Sequence, residues 1–284
     1  MRKAMQWVLA LAALMGTMPA VAAEDCAATA ARLAEAWRAK APVTGLSGID
    51  AATAACVQKT LVQDLAADAG QSVGYKVGLT SQAMQERLGV GHPVSGVLLG
   101  GMLREPITPI PADFAARPMV EADLVAVIGD DGVNQAKTPA EVLAHLAALQ
   151  PFIELSDLVL APTEKPTAEA ITAINVGARL GVLGPAIPIE PGLADRLATM
   201  KVSLTDETGK VLTEAPGSAV LGNPLNAVIW LAQDLAARGE ALQPGQRVSL
   251  GSFGAPTQPV RGGVVTLRYD GLLLAPVTLV VRFE

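Results

Sequence analysis

Apolar and polar positions change rhythm twice along the chain. Met1-Arg-Lys opens a basic start that runs into an apolar stretch ending near Met15, and Ala20-Val-Ala22 and Ala23 precede the first acid, Glu24. That order predicts a secretory signal peptide over 1–23, cleaved after Ala22 or Ala23. The apolar run is shorter than the roughly 20 residues needed to span a bilayer. Cys26 follows Ala23-Glu24-Asp25, which is not a lipoprotein signal. From there to residue 72 the period is helical. Leu33, Ala36 and Trp37 recur as one face, and the pattern predicts helices over 26–39 and 50–69, an N-terminal cap spanning 24–72.

After residue 73 the rhythm shortens to β-type runs at 73–79, 96–99, 119–129, 151–160, 174–183, 200–205, 246–250, 263–269 and 276–283. Asp206-Glu-Thr-Gly209 sits between two alternating runs and reads as a hairpin turn. Helical spacing returns only at 81–88, 139–148 and 224–237. Many strands with few intervening helices exclude a doubly wound dinucleotide fold, and Gly251-Ser-Phe-Gly254 opens no helix that could cradle a phosphate. Residues 73–284 therefore form one α+β domain.

Composition narrows the function classes. At 51% hydrophobic and 3% aromatic, Leu, Val and Ala must fill the core. Removing Arg2 and Lys3 with the leader leaves 19 basic against 27 acidic residues and takes the formal charge from −6 to −8. With no basic run, the chain lacks the footprint of a nucleic-acid or anionic-membrane binder. Both cysteines, Cys26 and Cys56, survive cleavage and would enter an oxidising periplasmic or extracellular space. Export favours a disulfide between them, and two small buried residues on neighbouring helices is the other reading.

The chemistry concentrates in three acids. In Met119-Val-Glu-Ala-Asp-Leu-Val-Ala-Val-Ile128 the alternation sends Glu121 and Asp123 to one strand face, and Glu154 lies in the apolar run from Pro151 to Leu160. Like charges so placed repel, whereas a hard divalent cation favours both anions. Lys76 sits in a short apolar strand where a lysine is unexpected. An edge-strand lysine that blocks aggregation is the structural alternative.

Gly74-Tyr-Lys-Val-Gly-Leu-Thr-Ser81, Val120-Glu-Ala-Asp-Leu124, Phe152-Ile-Glu154 and Gly222-Asn-Pro-Leu-Asn-Ala-Val-Ile-Trp-Leu-Ala232 resemble, in order, the 2-keto-4-pentenoate hydratase family of the fumarylacetoacetate hydrolase superfamily. The resemblance implies a mixed β-sheet rolled into a sandwich-like barrel with the helical cap beside it. It implies Glu121, Asp123 and Glu154 as ligands of Mg²⁺ or Mn²⁺, and Lys76 at the reacting end of a small 2-oxo acid or dienoate. Hydration of 2-hydroxypenta-2,4-dienoate to 4-hydroxy-2-oxopentanoate is the implied reaction, and a homo-oligomer the expected assembly. Decarboxylation of 4-oxalocrotonate and hydrolysis of an acylpyruvate are alternatives within the same architecture. A periplasmic 2-oxo-acid binding protein without turnover is a rival of another class.

The chain departs from the family at four places. Asp123 stands where the family usually has Glu. The loop 89–96 carries His92, Val94 and Ser95 where the family commonly has an acid, which removes one candidate proton relay and leaves His92 as a candidate to replace it. Asn175 is followed by Val-Gly-Ala-Arg179 rather than by small hydroxyl residues, which makes Arg179 a candidate holder of a substrate carboxylate, with a solvated surface arginine as the other reading. A family Ser-Gly pair reads Leu250-Gly251 here, flanked by Ser249 and Ser252, which places Gly251 and Ser252 among the expected substrate contacts.

Overall fold

A computed structural model of the chain describes residues 20–284. The expected leader at 1–23 lies almost wholly outside them. Two helices come first, α1 (Ala20–Ala39) and α2 (Ala51–Ala69), and Asp50 caps α2 by accepting from the Thr53 amide at 2.7 Å. The Sγ atoms of Cys26 and Cys56 lie 2.06 Å apart, one on each helix. Their apolar faces do not close on each other alone. The cluster that includes Leu33, Leu46, Val57 and Leu61 continues into Leu98, Leu99, Met102, Leu160 and Ile174. The cap therefore shares its core with the body.

The body runs β1 (Ser72–Gly78), α3 (Gln82–Leu88), β2 (Val94–Leu99), β3 (Leu103–Arg104), β4 (Pro118–Ile128), α4 (Pro139–Ala144), β5 (Leu146–Asp157), α5 (Ala168–Ala173) and β6 (Leu180–Leu183). It continues through α6 (Leu193–Thr199), β7 (Lys201–Asp206), β8 (Val211–Pro216), α7 (Asn226–Ala237), β9 (Arg247–Ser249), β10 (Val264–Asp270) and β11 (Val277–Arg282). Seven strands form one mixed sheet in the order β2-β1-β9-β4-β5-β6-β3, and four form a second, β11-β10-β7-β8. The fold is the expected α+β half-barrel with a second sheet beside it.

Parity along β4 divides the interior. Val120, Ala122, Leu124, Ala126 and Ile128 face the main core, where they meet Leu204, Leu267 and Tyr269 of the second sheet. Val125 and Val127 turn the other way, with Phe152, Leu183 and Leu103. Glu121 and Asp123 share that second face, because strand side chains alternate. Hydrophobic burial on both faces thus presents the acids inside the curl of the sheet.

Three expectations need correction. Helix α4 stops at Ala144 rather than at residue 148, because the chain enters the β4–β5 ladder at Leu146. The run expected as a strand at 174–183 begins instead as a 3₁₀ turn in which Asn175 and Val176 both have φ of 54°, leaving only Leu180–Leu183 extended. Lys76 is no edge residue: β1 pairs with β2 on one side and β9 on the other, and Lys76 is 4% exposed. Among the described residues, no helix is long and apolar enough to cross a membrane.

Candidate active site

Four adjacent strands supply the site. Lys76 on β1 lies opposite Ser249 on β9, Ser249 lies opposite Val125 on β4, and Glu121 on β4 lies opposite Glu154 on β5. In a flat sheet β1 and β5 would be about 14 Å apart. The curl closes that gap, and the Lys76 ammonium donates directly to Glu154 Oε1. Lys76, Asp123, Glu154 and Ser249 are all buried, and Glu121 is partly exposed.

The two glutamates and the aspartate are held differently. Glu121 Oε1 accepts from Ser156 Oγ at 2.5 Å, on the same face of β5 as Glu154. Among the described residues, the second oxygen of Glu121 and of Glu154 has no hydrogen-bond partner. Asp123 is saturated by comparison. Its Oδ1 accepts from the amides of Leu124, Leu250 and Gly251 at 2.6, 3.2 and 3.0 Å, and its Oδ2 accepts from Ser249 Oγ at 2.5 Å. The Tyr269 hydroxyl, reaching from the second sheet, donates to the Asp123 carbonyl.

Charge explains the local titration. Three carboxylates face one ammonium, so full ionisation would leave the cluster at −2. Burial pushes the Asp123 carboxyl up to about 7, against the opposing pull of the Ser249 and Leu124 hydrogen bonds and of Lys76. Burial likewise pushes Glu154 up to about 8, with Glu121 and Asp123 reinforcing it and Lys76 opposing. For Lys76, burial favours the neutral amine, but Glu154, Glu121 and Asp123 outweigh it and hold the ammonium above its ordinary value. Such a cluster suits a divalent cation, which supplies the missing positive charge.

The three acids expected as metal ligands are not presented alike. Among the described residues, no group of three acid, His or Cys side chains converges as a metal-binding set. Lys76 occupies one oxygen of Glu154, and Asp123 is turned back onto the 249–251 backbone. Glu121 and Glu154 keep free oxygens that fit a hard cation, and Asp123 stands one step behind them.

Other expected residues are placed elsewhere. His92 is exposed, and its Nδ1 lies 2.7 Å from the carbonyl of Pro93, so it makes no hydrogen bond to the cluster. Asn175 spends its amide on structure: Oδ1 accepts from the Val97 amide at 2.7 Å and Nδ2 donates to the Val97 carbonyl at 2.9 Å. Arg179 is neither a surface residue nor a neighbour of the acids. It is 8% exposed, stacks over the Trp37 ring at 3.7 Å, and donates to the carbonyls of Phe114 and Trp37. Ser252 donates to the Gly254 carbonyl at 2.9 Å, and Gly251 contributes its amide to Asp123 rather than an open face. Ser95, in the loop expected to carry an acid, points the other way to Asp234 Oδ2 at 2.9 Å.

Ser156 and Tyr269 are the site neighbours that sequence reading passed over. Ser156 was within reach of parity, being two residues after Glu154. Tyr269 comes from another sheet and gave no local signal.

No family model matches the chain. Curated relatives do. The chain is 32% identical over 247 residues to a 2-keto-4-pentenoate hydratase of Paraburkholderia phymatum, a match covering 86% of the chain and 93% of that relative. It is 34% identical to the TodF product hydratase of Pseudomonas putida over 81% of the chain and 85% of that protein. Among solved structures, 4-oxalocrotonate decarboxylase from Pseudomonas putida G7, complexed with magnesium and adipate, superposes with a TM-score of 0.81. It shares 25% identity and covers 92% of the chain and 98% of its own. Extended identity to named hydratases, on a fold that brings Lys76 against Glu154, shows that the chain belongs to the 2-keto-4-pentenoate hydratase family of the fumarylacetoacetate hydrolase superfamily.

Proposed function

We propose that this protein is a divalent-metal-dependent hydratase that adds water to 2-hydroxypenta-2,4-dienoate or a closely related 2-oxo acid. The contact between Lys76 and Glu154, inside a cluster that full ionisation would leave at −2, is the observation that carries the reading. Glu121 and Glu154 would hold Mg²⁺ or Mn²⁺ through their free oxygens, with Asp123 behind them. A bound cation would act there as a Lewis acid toward the substrate's 2-oxygen and carboxylate.

Lys76 is positioned to stabilise negative charge on that 2-oxygen. It is buried, cationic and fixed by its ladder partners, which is the preorganisation that electrostatic catalysis requires. In the overall reaction the terminal carbon, C5, gains a proton as the 2-hydroxyl becomes a ketone. Hydroxide then adds at C4 and a proton at C3, giving 4-hydroxy-2-oxopentanoate. Glu154, in direct contact with the Lys76 ammonium, holds that cation in place beside the acids. The apolar band of Val125, Phe152 and Leu183 next to the acids limits water around the hydrocarbon end of the substrate.

Decarboxylation of 4-oxalocrotonate is the second reading, favoured by the likeness to a decarboxylase over nearly the whole chain. We further propose that the chain acts in the periplasm or outside the cell, with Cys26 and Cys56 oxidised. The leader pattern and the proximity of the two sulfurs support that reading. Steady-state turnover with Mg²⁺ or Mn²⁺ separates the possibilities. Water addition to the dienoate supports the hydratase, and carbon dioxide release from 4-oxalocrotonate supports the decarboxylase. Lys76→Met should abolish turnover while leaving metal affinity and fold intact. Full activity in that variant would remove Lys76 from the chemistry.

A further inference from the structure

The acid cluster does not line the cavity beneath the helical cap. That cavity, about 660 Å³, lies beneath the C-terminal end of α1 and is walled by Trp37, Lys40, Arg104, Ile110, Phe114 and Arg179. Leu180 also lines it. Leu180 and Gly181 are consecutive on β6, and Gly181 lies opposite Glu154, so the cavity opens on the face of the sheet away from the acids.

We propose that this cavity is a second binding site, separate from the acid cluster, for a small organic carboxylate. Arg179 carries the argument. It is more than nine-tenths buried, and among the described residues no carboxylate lies within ion-pairing distance of it. A guanidinium has five N–H donors, and the carbonyls of Phe114 and Trp37 take one each, which leaves three without a protein acceptor. A permanently charged, buried cation calls for an anion, and a carboxylate matches its planar fork in two parallel hydrogen bonds.

The surrounding residues shape the ligand further. Two acids also line the cavity, but Asp68 is held by Arg38 at 2.7 Å and Glu284 is exposed. Arg104, at the exposed rim, has among the described residues only the carbonyls of Gly101 and Leu103 as partners. Trp37, Ile110 and Phe114 give apolar walls for a hydrocarbon body. An acid with a short carbon chain and a second anionic group near Arg104 fits these features, and 660 Å³ is ample for it.

Tryptophan emission tests the site. Trp230 lies on α7 and Trp7 in the leader, so the mature protein carrying Trp230→Phe reports on Trp37 alone. Adipate, titrated with a chelator present to strip any metal, should change that emission saturably. Arg179→Gln should weaken the response at least about tenfold, and Arg104→Gln, at the rim, should weaken it without endangering the fold. Lys76→Met should leave it unchanged. The proposal is overturned if no saturable change occurs, if the change survives both arginine substitutions in folded protein, or if it disappears with Lys76→Met. An equal response to inorganic phosphate would also overturn it, because a plain anion would then suffice.

Discussion

Asp123 shows how one methylene can redirect a carboxylate. On its short stem the group falls back onto four donors from residue 124 and residues 249–251. Asp123→Glu would carry the carboxylate past those donors toward Glu121 and Glu154. Metal affinity, measured by calorimetry with Mn²⁺, should then tighten by about tenfold. Unchanged affinity would show that Asp123 already ligates as it stands. The same residue marks the limit of sequence reading. Parity correctly put Glu121 and Asp123 on one face, because alternation is a local property of the strand. Where the Asp123 oxygens point depends on backbone amides more than a hundred positions later. Sequence reading named Arg179, His92 and Asn175 but could not place them, since contacts with Trp37, Pro93 and Val97 turn them away from the acids.

Elements transmit that positioning. β9 is only three residues long, yet it lies between β1 and β4 and leads directly into the loop that holds Asp123. Gly251 in that loop has φ of 106°, and a Cβ there would lie 2.2 Å from Thr80 Oγ1. Gly251→Ala should therefore destabilise the fold by about 1–3 kcal/mol in urea unfolding and weaken metal binding by displacing the amide from Asp123. An alanine variant with wild-type stability and affinity would show that the loop adapts freely. The long strands β4 and β5 were legible because their apolar period is sustained. The turn at 175–177 was not, because its shape depends on Asn175 gripping the backbone of β2 rather than on any local pattern.

At the scale of the whole molecule, Cys26 and Cys56 come together across a sequence separation of 30 within the helical cap, and their proposed disulfide would close that loop. Cys56→Ser should lower stability by roughly 3 kcal/mol in urea unfolding, and added reductant should bring the wild type down to the variant's level. Equal stabilities without reductant would mean that the sulfurs are not joined in solution. The cap's shared core explains why such a loss would be felt beyond α1 and α2. Leu98, Leu99 and Ile174 belong to the same apolar cluster as the cap and lie beside the segments that carry Gly96 and Asn175.

The place of β9 in the sheet has a consequence for how the protein comes into being. β1 and β4 are made early and do not pair with each other, and the strand that fits between them lies near the end of the chain. A chain emerging from its amino end therefore exposes two unmatched strand edges until residues 247–249 arrive, and such edges invite pairing with other chains. During that interval Lys76 has no seat opposite Ser249, and Asp123 lacks three of its four donors. A protein ending at Gln246 should aggregate on refolding and bind no Mn²⁺, and a soluble, metal-binding truncation would contradict this order of assembly. Catalytic competence is thus acquired in one late step, when the strand at 247–249 is driven between the two waiting edges.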